Sequence, residues 1–311
     1  AEICLGVGKI LDRIPDNHIS VRYLGSNERC GKTPARPATV GPNIRIDKSL
    51  PWAVTRVDVG GKLVPVVSIT AMMLSTSATW DGFLENIREI YHTAPALIID
   101  LRGNSGGDDN RARAMANILA GRTDESSNIG PPARLRKSQT AESMALFSNF
   151  FLYVLKAGNA DGSPADPSFQ TYYDRFMDEF RAAEAGTLPA VLELQRLPDP
   201  LDQAKIFQGP IRILIDAGCA SSCESAVTFF ERFPNVKKVG ENTGGFFHFG
   251  NVGKLWMNHS NVFVHLPIQS WLYDDGRYIE KVGIAPDVRV SSGSDALDAA
   301  KADLLLEFGQ N

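Results

Sequence analysis

Two short, unbroken apolar runs constrain this chain most. Ala96–Leu101 reads Ala-Leu-Ile-Ile-Asp-Leu, and Ile211–Asp216 reads Ile-Arg-Ile-Leu-Ile-Asp. A strand wetted on one face alternates apolar and polar residues. A continuous apolar run of strand length expects cover on both faces, as in a parallel sheet between helices. Each run leads into a turn of glycines and small residues and then into a helical pattern, Arg111–Leu119 after the first and Ser222–Phe233 after the second. Repeated strand–loop–helix units predict an α/β fold.

Other elements follow from the same periodicities. Val54–Val59 and Lys62–Ile69 flank Gly60-Gly61, which predicts a β-hairpin. Apolar residues at Trp80, Phe83, Leu84, Ile87, Ile90 and Tyr91 have helical spacing, and Pro95 ends that helix. Val236–Val239 reads as a short strand. Lys254–Val290 reads as strands and hairpins, with turns at Asn258/His259 and Asp274–Gly276. Asp295–Phe308 reads as a closing helix. Residues 1–50 mix a short helical pattern, Ile3–Leu11, with turns. Residues 122–205 predict a helical insertion or lid, with helices near Ala141–Lys156 and Phe169–Ala185. At about 150 residues per domain, length alone suggests two domains or one large α/β domain with insertions.

Composition removes several functions. The net charge of −4 leaves no basic surplus for a phosphate backbone or an anionic membrane surface. Val64–Leu74 and Ala145–Leu155 fall short of the roughly 18–20 apolar residues that span a bilayer. The four cysteines form two sets, Cys4 with Cys30 and Cys219 with Cys223. An even count at these positions suits two disulfides and an exported protein, periplasmic or extracellular; four reduced cysteines in a cytosolic protein are the alternative. No metal site is expected, because Cys219-x₃-Cys223 lacks a second ligand pair. No cofactor is expected either.

Four stretches can carry chemistry. Asp100-Leu-Arg-Gly-Asn-Ser-Gly-Gly-Asp108 follows a buried strand and precedes a helix. Its glycines let backbone N–H groups face an anion. Asp108 and Asp109 disfavour phosphate there, and a transient oxyanion fits better; a plain βα turn capped by Asp108 explains the same residues. Asp216-Ala-Gly-Cys-Ala-Ser-Ser-Cys-Glu224 puts Ser221 or Ser222 at a helix N-terminus, where the dipole and free N–H groups favour negative charge. Ser221-x-x-Glu224 is equally a capping box. A serine nucleophile needs a base, and the five histidines are the candidates, among them His18 in a Pro-Asp-Asn turn and His248 in a Gly/Phe-rich loop. Glu280, in Arg277-Tyr-Ile-Glu-Lys, reads either as an exposed strand acid or as the carboxylate that orients a histidine.

Taken in order, Asp-Leu-Arg-Gly-Asn-Ser-Gly-Gly, Ala-Ser-Ser-Cys-Glu, Val-Gly-Glu-Asn-Thr-Gly-Gly (239–245) and Ile-Glu-Lys-Val-Gly-Ile-Ala-Pro-Asp (279–287) resemble the carboxy-terminal processing, or tail-specific, protease family. The resemblance spans about residues 53–121 and 207–290, plus a patch at His18. It implies an α/β core of the crotonase/ClpP type and peptide cleavage through a serine, with no cofactor. Family serines precede the Glu of Ser-x-x-Glu by three residues, which implies Ser221. Gly244-Gly245-Phe246-Phe247-His248 lacks the lysine of the bacterial branch, and the next lysine is Lys254. Asp16-Asn17-His18 and Glu280 instead resemble the branch of the Tricorn core protease and the interphotoreceptor retinoid-binding proteins. That branch implies a Ser221–His18–Glu280 triad, with the oxyanion held at Gly106, Gly107 and the Ser222 amide.

The implied organisation is an N-terminal segment, 1–50, carrying His18, and a protease core, 51–311, interrupted by the insertion 122–205. Only about 35 residues separate His18 from Val54, too few for the PDZ domain that many relatives carry, so none is expected. Phe246, Phe247 and His248 are expected to line a substrate pocket. The implied partner is a peptide or protein substrate. Two rival functions share the fold: a non-catalytic module binding a lipophile or peptide, and another acyl hydrolase.

Overall fold

The computed structural model describes residues 13–14, 16–23, 30, 50–72, 80, 82–148, 167–257, 262–291 and 294–309. Cys4, the Ile3–Leu11 pattern, the Asn258/His259 turn and residues 149–156 lie outside this set. The chain forms two compact units: Ala1–Ala35, Pro132–Arg196 and Phe246–Lys281 make the first, and Arg36–Pro131, Leu197–Gly245 and Val282–Asn311 the second.

The second unit is built on a six-stranded sheet. Its strands are β2 (Trp52–Val59), β3 (Lys62–Ile69), β4 (Leu97–Asp100), β7 (Ile211–Ile215), β8 (Val236–Gly240) and β11 (Val288–Arg289). Their spatial order is β11-β8-β7-β4-β3-β2. All neighbours run parallel except β2, which pairs antiparallel with β3. The expected hairpin is present: Gly60 and Gly61 have φ of 62° and 83°, the two left-handed positions that a tight turn between twisted strands requires. Every residue of β4 and of β7 is buried, which is why both read as unbroken apolar runs.

Helices α1 (Phe83–Thr93), α2 (Asn110–Leu119), α4 (Ser222–Phe229) and α5 (Ala296–Phe308) belong to this unit. Helix α5 lays Ala296, Ala300 and Leu304 against Val64, Val66, Ile98, Leu214 and Val239. Each buried valine, leucine or isoleucine contributes about 1.5–3 kcal/mol through removal from water. Arg212, the one charge inside β7, is fully buried and paired with Asp303 and Glu307 of α5. A lone buried cation would be prohibitive, so this double pairing accounts for its place in an apolar run.

The first unit carries a five-stranded antiparallel sheet, in the order β1-β10-β5-β6 with β9 also on β10. Here β1 is Ser20–Tyr23, β5 Ala133–Ser138, β6 Val191–Arg196, β9 Phe249–Trp256 and β10 Val262–Tyr273. Strand β10 is the organiser. Its first half pairs with β1, Ser20 facing His265, and its second half with β5, Gln269 facing Lys137. Helix α3 (Pro167–Glu184) and a helical stretch at 141–148 supply Phe176, Met144 and Phe147 to a small core with Ile268.

The expectation of a helical insertion or lid over 122–205 needs correction in one respect, the strands it contains. Its two strands, β5 and β6, join the antiparallel sheet. In β5 Ala133 and Leu135 are buried while Arg134 and Arg136 are exposed, a two-residue alternation hidden by its four charged and polar side chains. Strand β6 is an exposed edge, so its Val-Leu-Glu-Leu-Gln-Arg carries no inward pattern at all.

Candidate active site

Strands β4 and β7 are parallel neighbours, so the loops leaving their carboxyl ends lie side by side. Open α/β sheets bind ligands at such loops. The first loop, Asp100–Asp108, is held by Asn104, which is fully buried. Its side chain donates to the Ile69 carbonyl (2.9 Å) and accepts from Gly106 N–H (2.9 Å), and its carbonyl accepts from Ala220 N–H (3.0 Å). Asp216 pins both loops, its Oδ1 accepting from Gly103 N–H and Gly218 N–H at 2.9 Å each.

Ser221 sits at the N-cap of α4 with φ 58° and ψ −121°, a left-handed conformation for a residue with a Cβ. Strain of this kind costs of order 1–3 kcal/mol and concentrates at functional turns, including those that lift a nucleophile out of a strand-to-helix connection. Glu224 is the anchor that over-determines it. Fully buried, it accepts from Ser221 N–H through Oε2 (3.1 Å), and from Thr243 Oγ1–H (2.5 Å) and Gly245 N–H (2.8 Å) through Oε1. Glu224 thus does more than cap a helix. It ties the serine turn to the Thr243–Gly245 loop, a role that Ser-x-x-Glu spacing alone does not reveal.

Cys219 and Cys223 form a disulfide across the same turn, both sulfurs buried, and Cys219 O accepts from Gly244 N–H at 2.7 Å. Cys30 is disulfide-bonded as well.

The three expected oxyanion donors differ in their partners. Gly106 N–H is already committed to Asn104 Oδ1, so Gly106 is removed as a donor. Its part is steric: at φ 95° a Cβ would stand 2.7 Å from Ala220 O and 2.9 Å from Ser221 Cβ. Met72 N–H bonds Gly106 O and Met72 O accepts from Asp108 N–H, a bridge that skips the Gly107 amide. Ser222 Oγ–H donates to Gly107 O at 2.8 Å and holds these two residues together. Among the described residues, neither Gly107 N–H nor Ser222 N–H has a hydrogen-bond acceptor. Two such amide donors beside a strained serine can stabilise an oxyanion.

In the first unit, Asp16, His18 and Glu280 converge, one polar atom of each lying within 4.8 Å of the others. His18 lies two residues before β1, whose pairing with β10 fixes the approach of the N-terminal turn. Asp16 Oδ1 accepts from His18 N–H (2.7 Å) and lies 3.6 Å from His18 Nδ1, an electrostatic contact rather than a hydrogen bond. Glu280, 1% exposed, accepts from Asn17 N–H (2.7 Å) through Oε1 and from Phe247 N–H (3.1 Å) and His248 N–H (2.9 Å) through Oε2. Expected as the orienting acid, Glu280 is therefore also the knot between residues 263 apart in sequence. The Asp-x-His pattern marks Asp16 only as a neighbour of His18, and the structure makes it a second carboxylate beside the imidazole. The group could hold a cation in principle. Both Glu280 oxygens accept from backbone N–H donors, which hold the carboxylate in place. The pocket of negative charge is felt nearby: burial pushes the Tyr278 phenol up, and Glu280 and Asp16 push it further.

The expected pocket residues diverge. Phe246 sets its ring edge-to-face on His18 at 5.6 Å, and Phe247 stacks on Tyr273 at 5.1 Å. His248 is 0% exposed with both ring nitrogens bonded, so it does not face a substrate, and its place as pocket wall is withdrawn.

A profile of peptidase family S41 matches residues 64–290. The chain belongs to this family. Comparison with curated proteins finds no match. Among solved structures, the chain is similar to mature CPAF, at 17% identity and TM-score 0.51, covering 83% of this chain and 55% of that one. It is also similar to a protein of Parabacteroides merdae named as a peptidase, at 13% identity and TM-score 0.54, covering 98% of this chain and 82% of that one. The S41 chain spans about half the length of mature CPAF. At these identities the likeness shows the shared fold. The expected α/β architecture is borne out, and the family resemblance is borne out at the level of peptidase family S41.

Proposed function

We propose that this S41 chain is a serine endopeptidase that cleaves peptide bonds through an acyl-enzyme, with Ser221 as nucleophile. The observation that carries this reading is Ser221 at φ 58° on a helix N-terminus, beside the amides of Gly107 and Ser222, which have no acceptor among the described residues. In the proposed reaction Ser221 Oγ attacks the substrate carbonyl carbon as His18 Nε2 takes the hydroxyl proton. Asp16 flanks His18 on its Nδ1 side, which leaves Nε2 as the proton acceptor. Glu280 stabilises the imidazolium, and the Gly107 and Ser222 amides hold the oxyanion. His18 then returns the proton to the leaving amine, and water clears the ester by the same steps reversed.

The assignment to the Tricorn-like branch, rather than one with a Ser–Lys pair, rests on Asp16-Asn17-His18 and on the lysine-free Gly244–His248 loop. The buried Cys219–Cys223 disulfide supports an exported, oxidising setting.

The test is active-site labelling with a fluorophosphonate alongside peptide hydrolysis. Wild type should be labelled at Ser221 and should hydrolyse peptides. Ser221→Ala should lose both while its thermal midpoint stays close to wild type, since any lost cap costs only ~1 kcal/mol. His18→Ala should lose labelling as well. Peptide turnover by Ser221→Ala would overturn the reading. Labelling without peptide turnover, but with ester or thioester turnover, would redirect it to another acyl hydrolase.

A further inference from the structure

His248 has no role in the reaction just described, yet every polar atom it owns is engaged by Glu280, Ile279 or Trp271. Its N–H donates to Glu280 Oε2 at 2.9 Å, and its carbonyl accepts from Trp271 N–H at 2.8 Å. Its ring Nδ1 lies 2.6 Å from the Trp271 carbonyl oxygen, and its ring Nε2 lies 2.9 Å from the amide nitrogen of Ile279, the residue before Glu280. The ring stacks flat on Tyr278 at 4.5 Å and meets Tyr273 and Phe247 edge-on.

These partners dictate the tautomer. A carbonyl only accepts, so Nδ1 must carry the proton. An amide N–H only donates, so Nε2 must be bare. One neutral imidazole thus clamps β10 at Trp271 to the segment 278–280. The residues on either side of the clamp matter to the proposed site: Phe246, two positions before, touches His18, and Glu280 follows Ile279.

We propose that His248 is a positioning residue for the proposed peptidase reaction: its bare Nε2 holds Ile279 N–H, sets the direction of the Glu280 carboxylate, and through it the imidazole of His18. The inference rests on the assignment of Glu280 and His18 made above. It assigns His248 no contact with substrate. Displacing a catalytic group by about 1 Å costs roughly a hundredfold in rate, which sets the size of the expected effect.

Two amide substitutions separate this role from simple space-filling. In His248→Gln the longer side chain can place an oxygen where Nε2 accepts from Ile279. In His248→Asn the amide reaches only the Trp271 side. The Gln variant should keep kcat within a few-fold of wild type, and the Asn variant should lose roughly a hundredfold in kcat with little change in KM. Equal activity of the two variants, or a loss confined to KM, would overturn the proposal. Long-range ¹H–¹⁵N correlation of the histidine-labelled wild type gives a readout independent of activity. The His248 ring should show a protonated Nδ1 and an unprotonated Nε2, and the opposite tautomer would overturn the clamp. If wild type neither hydrolyses peptides nor labels at Ser221, the peptidase reading fails by itself, while the tautomer still decides the clamp.

Discussion

Gly106 presses against Ser221: a Cβ on Gly106 would stand 2.9 Å from the Ser221 Cβ and 2.7 Å from the Ala220 carbonyl. The glycine-rich loop after β4 is thus the wall on which the serine turn rests. Its N–H is spent on Asn104, so its contribution is shape rather than hydrogen bonding.

Gly106→Ala should therefore damage the site without removing any donor. The substitution combines a left-handed φ with two backbone-limited contacts that cannot relax cheaply. We expect a fall of a few degrees or more in Tm, together with a loss of at least tenfold in fluorophosphonate labelling at Ser221. Wild-type values for both would show that the two loops do not press on one another.

Glu224→Ala should be more severe. The change removes the buried acceptor shared by Ser221 N–H, Thr243 Oγ1–H and Gly245 N–H, of which the Thr243 and Gly245 groups are buried. A single orphaned buried donor costs about 1–3 kcal/mol. Urea unfolding should show a loss of several kcal/mol or no folded protein, and Glu224→Gln, which keeps an acceptor oxygen, should fall between. A midpoint equal to wild type for the alanine variant would contradict the anchoring role.

Removing the Cys219–Cys223 bridge, as Cys219→Ala with Cys223→Ala, should cost about 2 kcal/mol on the loop-entropy relation for so short a loop. Because the bridge straddles Ser221, labelling should fall more steeply than stability. If stability drops and labelling at a temperature well below the new midpoint is unchanged, the bridge supports the fold alone.

The contact between β7 and α5 should make stability acid-sensitive. Burial pushes the Asp303 carboxyl up, but hydrogen bonds from Lys237 and Arg212 outweigh it and hold the group below the usual carboxylate range. A group lowered on folding binds more protons when unfolded. Its stabilisation is therefore complete above the unfolded carboxylate range near pH 4 and is lost as pH falls through the lower native value. Asp303→Asn should be less stable than wild type at pH 7, and the difference should shrink below pH 4. A gap that is constant with pH would exclude Asp303 as the source.

How much of this was legible in the sequence depends on distance along the chain. The Gly60-Gly61 hairpin, β4, β7 and the helices after them were readable, because each rests on a pattern of under about fifteen residues. Strands β5 and β6 were not, since an edge strand has no buried face to print a pattern and β5 pairs with residues far downstream. His18 and Glu280 were singled out by motif resemblance, and both lie at the same acidic cluster. The structure added the second acid, Asp16, whose signal was the Asp-x-His spacing. It also withdrew His248 from the pocket, since a histidine in a Gly/Phe-rich loop reads the same whether its ring is solvated or enclosed.

By itself, the sequence determined the α/β class, the order of the loops and the glycine and serine that each loop presents. These follow from local sterics and from apolar periodicity, which act between near neighbours. Only the tertiary structure decided which donors remain available. Gly106 and Gly107 are adjacent and chemically identical, yet one amide is consumed by Asn104 and the other has no acceptor among the described residues. That difference is set by where Ile69, Met72 and Ala220 bring their backbone groups, because a buried hydrogen bond is decided by geometry at about 3 Å and not by residue type.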